Sequence, residues 1–194
     1  VDGLTGKVSA TRTRLEQTRA GARDVPPPQR LWVLVRLAEL SWRVGNLGDA
    51  ERRYREVLAK EPTQPDALNL LGLLLGTRGD RKNGIVFLRR AVAVQPGFIE
   101  AHRNLANLLW AEGALGEARQ HCEKVLELAP GDLPAHLSLA LISRDAGDLA
   151  AAVEVMERAI ALHPTAARPY LNLCDILKAR DDGERIVAVT AAAA

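Results

Sequence analysis

The sequence predicts an all-α solenoid of helix-turn-helix repeats, and three ladders of residues predict it. Pro62, Pro96, Pro130 and Pro164 succeed one another every 34 residues. Gly45, Gly79, Gly113 and Gly147 keep the same interval, 17 residues ahead of each proline. Leu37, Leu71, Leu105, Leu139 and Leu173 form a third series on that lattice. Chance does not set three residue types on one period over most of a chain. A fixed period of this length marks stacked units, each burying its apolar face only against its neighbours.

Along the chain, residues 1–30 stand apart as an N-terminal helix and Pro-rich linker. Val8 and Leu15 suggest a short helix with a thin apolar stripe. Pro26-Pro27-Pro28 predicts an extended spacer, because consecutive prolines fix the backbone and remove amide donors. The first repeat spans 31–64: Leu34, Leu37, Ala38 and Ser41 recur at helical spacing, Gly45 breaks the pattern and Asn46 is placed to cap the next helix. Ala50, Tyr54, Val57 and Leu58 carry that second helix until Pro62 stops it. The second repeat spans 65–98, with Pro65 suited to a first helical turn and Asp80 a cap; Arg78-Gly79-Asp80 is read as the inter-helix turn, not an adhesion motif. The third spans 99–132 and has Ala114 where a cap belongs, and the fourth spans 133–166 with Asp132 and Asp148 as caps.

A fifth unit opens with Tyr170, Leu173, Cys174 and Leu177 over 167–180. Residues 181–194 then read as an incomplete or divergent last helix: Asp181 stands in the glycine slot and Ile186–Ala194 is almost unbroken apolar sequence. An unstacked terminal repeat exposes its apolar face, so a partner, a second copy or further chain is expected to cover this end.

Some slots stay small in every unit. Ala38, Gly72, Ala106, Ala140 and Cys174 share one on the first helix; Ala50, Gly84, Ala118 and Ala152 share one on the second. Paired helices approach closely only where a side chain is nearly absent. Together these slots resemble the tetratricopeptide repeat family over Leu31 to about Arg180, four complete repeats and the first helix of a fifth. The resemblance implies a right-handed superhelical solenoid whose first helices line a concave face.

Bulk composition narrows the function. The 194 residues are 47% hydrophobic and carry 26 basic against 24 acidic side chains, a net charge of +2. That balance offers no broad cationic field, so nucleic acid is not the expected partner. No apolar run is long enough for a membrane span, and the N-terminal stretch has no signal-peptide core, so a cytoplasmic location is expected. The excess of Arg over Lys points to a GC-rich bacterial source. Cys122 and Cys174 fall on core slots of different repeats and read as buried free thiols.

Catalytic and metal chemistry find no foothold. His102 and His136 lie one repeat apart, and neighbouring helices stand about 8–10 Å apart, too far to share an ion with bonds near 2 Å. His121 and His163 complete no ligand set. There is no nucleophile elbow, phosphate-binding glycine loop or Cys-X-X-Cys pair. No cofactor, no metal and no catalytic residue is expected.

The family resemblance instead implies a groove for an extended protein segment. Its lining positions correspond to Trp32, Glu39, Trp42 and Arg43 in the first repeat, Asn69 in the second, and Arg103, Asn107 and Trp110 in the third. Arg144 follows from the fourth, and Arg168 and Lys178 from the fifth. The family's chaperone-binding members hold C-terminal carboxylates in a clamp whose positions here read Arg103, Asn107, Ser138, Arg168 and Asn172, with only Asn107 identical. The repeat domain of O-linked GlcNAc transferase carries an asparagine ladder just before the conserved leucine; Asn104 and Asn172 match it, while Arg36, Leu70 and Ser138 do not. An amide both donates and accepts, so such a ladder pairs with a threaded backbone.

These features predict a protein-interaction scaffold that binds a protein or peptide segment in its groove. Two rivals are a substrate-recognition arm of a larger glycosyltransferase, sulfotransferase or hydroxylase, and a homo-oligomer assembled through the uncapped C-terminal end.

Overall fold

The computed structural model describes residues 27–179 and 181–192, and within them every regular element is helical. Ten helices follow in order: α1 (Pro27–Arg43), α2 (Leu47–Lys60), α3 (Pro65–Thr77), α4 (Arg81–Val94), α5 (Ile99–Ala111), α6 (Leu115–Leu128), α7 (Leu133–Asp145), α8 (Leu149–Leu162), α9 (Ala167–Ala179) and α10 (Gly183–Ala192). The chain divides into two compact units, Val1–Val94 and Gln95–Ala194. In the first, α1 packs on α2, α2 on α3 and α3 on α4; in the second, α5 through α10 pack consecutively and α7 also touches α5 and α9. The architecture is a solenoid of helical hairpins.

One expectation about the N-terminal side is overturned. The Pro-rich stretch is not an extended spacer, because α1 begins at Pro27 and takes Pro28 into its first turn. Amides of a first turn have no intrahelical acceptor, so a proline there sacrifices no hydrogen bond. The short helix expected around Val8 and Leu15 lies outside the described residues.

The turn glycines explain their own ladder. Gly45, Gly79, Gly113 and Gly147 have φ of +81°, +90°, +79° and +82°, a left-handed conformation that lets the chain reverse between helices. Asp181 adopts φ of +59° in the fifth unit, which a short polar side chain tolerates. The following residue then caps the second helix: Asn46 accepts from the Asp49 amide at 3.2 Å and Asp148 from the Ala151 amide at 3.1 Å. Asp80 and Asp182 repeat the contact to the Asn83 and Arg185 amides, both at 3.4 Å. Ala114 makes no such bond. The last described helix spans 10 residues where the other second helices span 14. In α10, Ile186 and Val189 pack on the core of the second unit while Val187 stays 69% exposed.

Packing follows the small slots. All five ladder leucines are buried, as are Ala38, Ala106, Ala140 and Cys174 on the first helices. The tightest approach is at Gly72: a Cβ there would lie 2.7 Å from Leu88 Cγ and 2.9 Å from the Gly84 carbonyl oxygen. Each unit has its own apolar cluster. Tyr54, Val57, Leu71 and Leu74 anchor the first, and Met156, Leu173, Ile176 and Leu177 the second. The Tyr54 hydroxyl is buried without a hydrogen-bond partner, and burial, with the nearby Glu39 charge, pushes its pKa up. Cys122 and Cys174 are free and buried; burial, helped by Glu123 and Asp132, pushes the Cys122 thiol up to about 12.

The ladder prolines contribute an acceptor as well as a stop. Imidazole Nε2 of His102 donates to the Pro96 carbonyl at 3.0 Å, and that of His136 to Pro130 at 2.9 Å. Tyr170 Oη donates to Pro164 at 3.1 Å from the same repeat position. Leu68 holds that position in the second repeat, and there Arg90 Nη2 reaches the Pro62 carbonyl at 2.8 Å instead. The carbonyl of each ladder proline is thus taken by a side chain of the hairpin that follows it.

An acidic knot ties α1 to α2. Ser41 Oγ and Arg53 Nε lie 2.8 and 2.6 Å from Asp49 Oδ2, and Arg52 bonds Oδ1. Burial alone would raise the Asp49 pKa, but hydrogen bonds from Arg53, Ser41 and Arg52 and the Arg53 charge bring it down to about 2.

Two outcomes follow for stability. Chemical denaturation of Gly72→Ala should show a net loss of about 1–2 kcal/mol despite the gain of about 1 kcal/mol in helix propensity. Gly116→Ala, where a Cβ would meet nothing within 4 Å, should show no loss. Because the folded pKa of Asp49 is depressed, its contribution is present above the unfolded value near 4 and disappears as pH falls through about 2. Asp49→Asn should cost about 2 kcal/mol at pH 7, and the gap to the parent protein should close between about pH 4 and pH 2 in acid-unfolding curves.

Candidate functional site

The first helices carry the side chains expected to meet a partner, and each unit treats them differently. In the first unit Trp32 is 67% exposed near the start of α1, with the Arg36 guanidinium 6.0 Å from its ring centroid. Arg36 also pairs with Glu39 at 2.6 Å. Trp42 is half-buried against the unit's core, and Arg43 is exposed in the last turn. Asn69 departs from expectation: it is only 5% exposed. Helix α3 is packed by both α2 and α4, and seven of its thirteen residues are buried, which leaves it little open face.

In the second unit α5 and α7 are tied by three polar contacts. Arg103 Nη1 lies 3.3 Å from Asp132 Oδ2, and Arg103 Nη2 lies 3.7 Å from Glu100. Ser138 Oγ donates to Asn107 Oδ1 at 3.2 Å. Trp110 Nε1 donates to Asp145 Oδ2 at 2.8 Å, while Arg144 Nη2 holds Asp145 Oδ1 at 2.9 Å. Burial alone would raise the Asp145 pKa; the bonds from Trp110 and Arg144 and the Arg144 charge outweigh it and hold the carboxyl below its ordinary value. On α9, Lys178 pairs with Asp175 at 3.4 Å, and Arg168 and Leu171 are exposed, Leu171 by 65%. Asn104, Ser138 and Asn172 hold one repeat position on α5, α7 and α9, all half-buried.

The structure thus places Arg103, Asn107, Trp110 and Arg144 in three separate polar contacts along α5 and α7 of the second unit, whereas Trp32, Glu39, Trp42 and Arg43 belong to the first unit. Sequence reasoning missed the acceptors. Asp132 accepts from the Ala135 amide at 2.8 Å as an expected cap, and its second oxygen also faces Arg103. Asp145 had no assigned donor, and its indole partner lies 35 residues back, one off the repeat period. The Trp110–Asp145 pair is one residue off the 34-residue period and the Arg103–Asp132 pair five, so no ladder on the lattice points to either.

Behind this face, His102 Nδ1 lies 2.9 Å from His121 Nδ1. With Nε2–H directed at Pro96, a neutral His102 offers Nδ1 as acceptor and His121 donates. Among the described residues no group of three or more His, Cys, Asp or Glu is arranged to hold a metal ion. None of the described helices is long and apolar enough to cross a membrane.

Three family models of tetratricopeptide repeats match the sequence, over residues 35–81, 77–142 and 133–165. The chain belongs to the tetratricopeptide repeat family. Its solved structural neighbours are tetratricopeptide folds too. A MamA crystal structure superposes with a TM-score of 0.77 at 20% identity, covering 84% of this chain and 89% of that one. A tetratricopeptide repeat protein from Parabacteroides merdae gives 0.77 at 19% identity, covering 97% and 76%. YrrB, described as having an unusual peptide-binding site, gives 0.71 at 16% identity, covering 83% of each chain. Among the curated proteins none matches the sequence. At these identities the likeness establishes the fold.

For a tetratricopeptide hairpin, the Trp110–Asp145 bond is a direct reporter of the face between α5 and α7. Three tryptophans give three indole N–H resonances. One of them should move as Asp145 titrates, with a midpoint below the ordinary carboxylate value near 4, and should stay fixed over that range in Asp145→Asn. A resonance set insensitive to the substitution would place the indole elsewhere.

Proposed function

We infer that this tetratricopeptide protein is a protein-interaction scaffold that takes an extended partner segment along the first-helix face of its second unit. The observation that carries the reading is the patch joining α5 to α7. Arg103, Asn107, Trp110 and Arg144 remain partly open to solvent although each has a neighbour to bond. Half-buried Leu137 and Leu141 and exposed Leu171 supply apolar contact beside them. Such a mixture suits an extended segment that needs both backbone hydrogen bonds and apolar anchors.

The charges narrow the partner. Arg103 faces Glu100 and Asp132, Arg144 faces Asp145, and Lys178 faces Asp175. An acidic tail would have to displace these carboxylates, so the face favours a segment of low net charge over a clamped C-terminal carboxylate cluster. Asn104, Ser138 and Asn172 supply amide and hydroxyl groups at the ladder position. In this reading the protein works in the cytoplasm without catalytic chemistry or a nucleic-acid partner of its own.

Self-association through α10, whose Val187 is 69% exposed, is a second reading. Replacing Arg103 and Asn107 together by Ala separates the two. The double variant should lose partner binding about tenfold or more while its thermal unfolding stays nearly unchanged. Unaltered affinity would remove this face from the account, whereas self-association through α10 would be indifferent to the change.

A further inference from the structure

One repeat position reports whether a second helix lies in front of a first helix. Leu74, Ile142 and Ile176 hold it on α3, α7 and α9; each is 0% exposed, and each of those helices packs on the second helix before it. Leu40 holds the same position on α1 and is 41% exposed. Leu108, on the helix that opens the second unit, is half-buried. Around Leu40 the surface of α1 is apolar as well. Trp32 is 67% exposed and Val44, just past the helix end, 39% exposed, and with Arg36 and Leu40 they form a row at every fourth residue. Rows of this spacing are the ridges that fit the grooves of a neighbouring helix. In the second and third repeats the same row starts on Asp66 and Glu100 and ends on Arg78 and Glu112, so those rows end in water.

The sequence ahead of the described residues has the complementary pattern. Lys7–Ala20 is a run of 14 residues bounded by Gly6 and Gly21, with no glycine or proline inside it. That is the length of α2, α4, α6 and α8. Val8, Thr11, Leu15 and Thr18 recur at alternating three- and four-residue spacing, a narrow helical stripe with the charged residues of the run beside or behind it. A lone helix of this length is marginal in water and persists only where its stripe is buried. Six residues, Gly21–Pro26, connect the run to Pro27, against the four that join each described second helix to the next first helix within 47–167. So short a connection sets successive helices antiparallel. Leu15 precedes the end of the run by five residues and Trp32 follows Pro27 by five; Val8 precedes that end by 12 and Leu40 follows Pro27 by 13. At about 1.5 Å per residue the first pair stands about 7–8 Å from the connection and the second about 18–20 Å, so the depths match.

We propose that Lys7–Ala20 folds as an antiparallel helix on the α1 ridge, with Leu15 against Trp32 and Val8 against Leu40. The segment gives Leu40 the cover that α2, α6 and α8 give to Leu74, Ile142 and Ile176, and it closes this end of the first unit to stacking by another chain. A tether of six residues holds it at an effective concentration on the order of 1 mM, which a second copy free in solution does not reach. The contact lies within the first unit and is independent of the first-helix face of the second.

The test is made on the isotope-labelled full chain. Nuclear Overhauser spectra should show contacts from the Leu15 methyls to the Trp32 indole and from the Val8 methyls to Leu40, with helical amide shifts over 7–20. Leu15→Asp puts a charge on the stripe; it should erase these contacts and speed trypsin cleavage after Arg12, Arg14 and Arg19 about tenfold or more, the scale of one lost leucine burial. Leu15→Met keeps an apolar side chain of similar volume and should preserve both the contacts and the protection. A mixture of labelled and unlabelled chain, filtered for contacts between molecules, should show none at Trp32 or Leu40. Coil shifts throughout 7–20, contacts at Leu40 that arise only between molecules, or cleavage as fast in the parent as in Leu15→Asp would each overturn the proposal.

Discussion

The separation of the two helices within each hairpin is set by what stands at the small slots, and every other contact in the chain inherits that spacing. At Gly72 even a methyl group would meet the Gly84 carbonyl, an atom of the backbone that cannot turn aside. Where alanine replaces glycine, as at Ala38, Ala106 and Ala140, the slot is still fully buried. Close approach in turn sets the length of the connection. A hairpin this tight reverses through a left-handed residue, which is why glycine recurs at the turn and why the one departure is an aspartate. The slot and the turn are two consequences of one geometry.

Stacking hairpins raises a second requirement, because each second helix ends in carbonyls that its own turns cannot satisfy. The ladder prolines sharpen the need, since a residue without an amide ends the helix and leaves its carbonyl pointing at the next unit. His102, His136 and Tyr170 meet it from one repeat position, and Arg90 does the same work from the second helix where Leu68 offers no donor. The histidines that invite a metal hypothesis are therefore structural donors. Their conformity has a limit at His136, whose other nitrogen has no partner, because Val155 stands at the repeat position that His121 holds in the third repeat.

Legibility in the sequence tracks steric uniqueness. Positions that admit few residue types, the turn glycines, the small slots and the terminal prolines, were readable because the same constraint recurs every 34 residues. The start of α1 was not, because proline both ends helices and opens them, and only the backbone says which role Pro27 and Pro28 take. Asn69 was misjudged for a different reason. Its repeat position faces outward in the pattern, but α3 is flanked by helices on both sides and the amide is enclosed. The pairs Arg103–Asp132, Asn107–Ser138 and Trp110–Asp145 span 29, 31 and 35 residues, so they fall off the lattice and depend on side-chain reach.

Under the proposed function, those pairs also decide what kind of selectivity the first-helix face of the second unit has. A free arginine in a groove draws an acid from a distance, whereas an arginine already facing two carboxylates does not, because any newcomer must first break contacts of the same kind. The pairs fix the rotamers of these side chains before anything binds, so less ordering remains for a ligand to impose. What is left to discriminate between partners is the spacing of Leu137, Leu141 and Leu171 and the line of amides and hydroxyl at Asn104, Ser138 and Asn172. In the proposed function, selection on that face is therefore by shape and backbone and not by net charge.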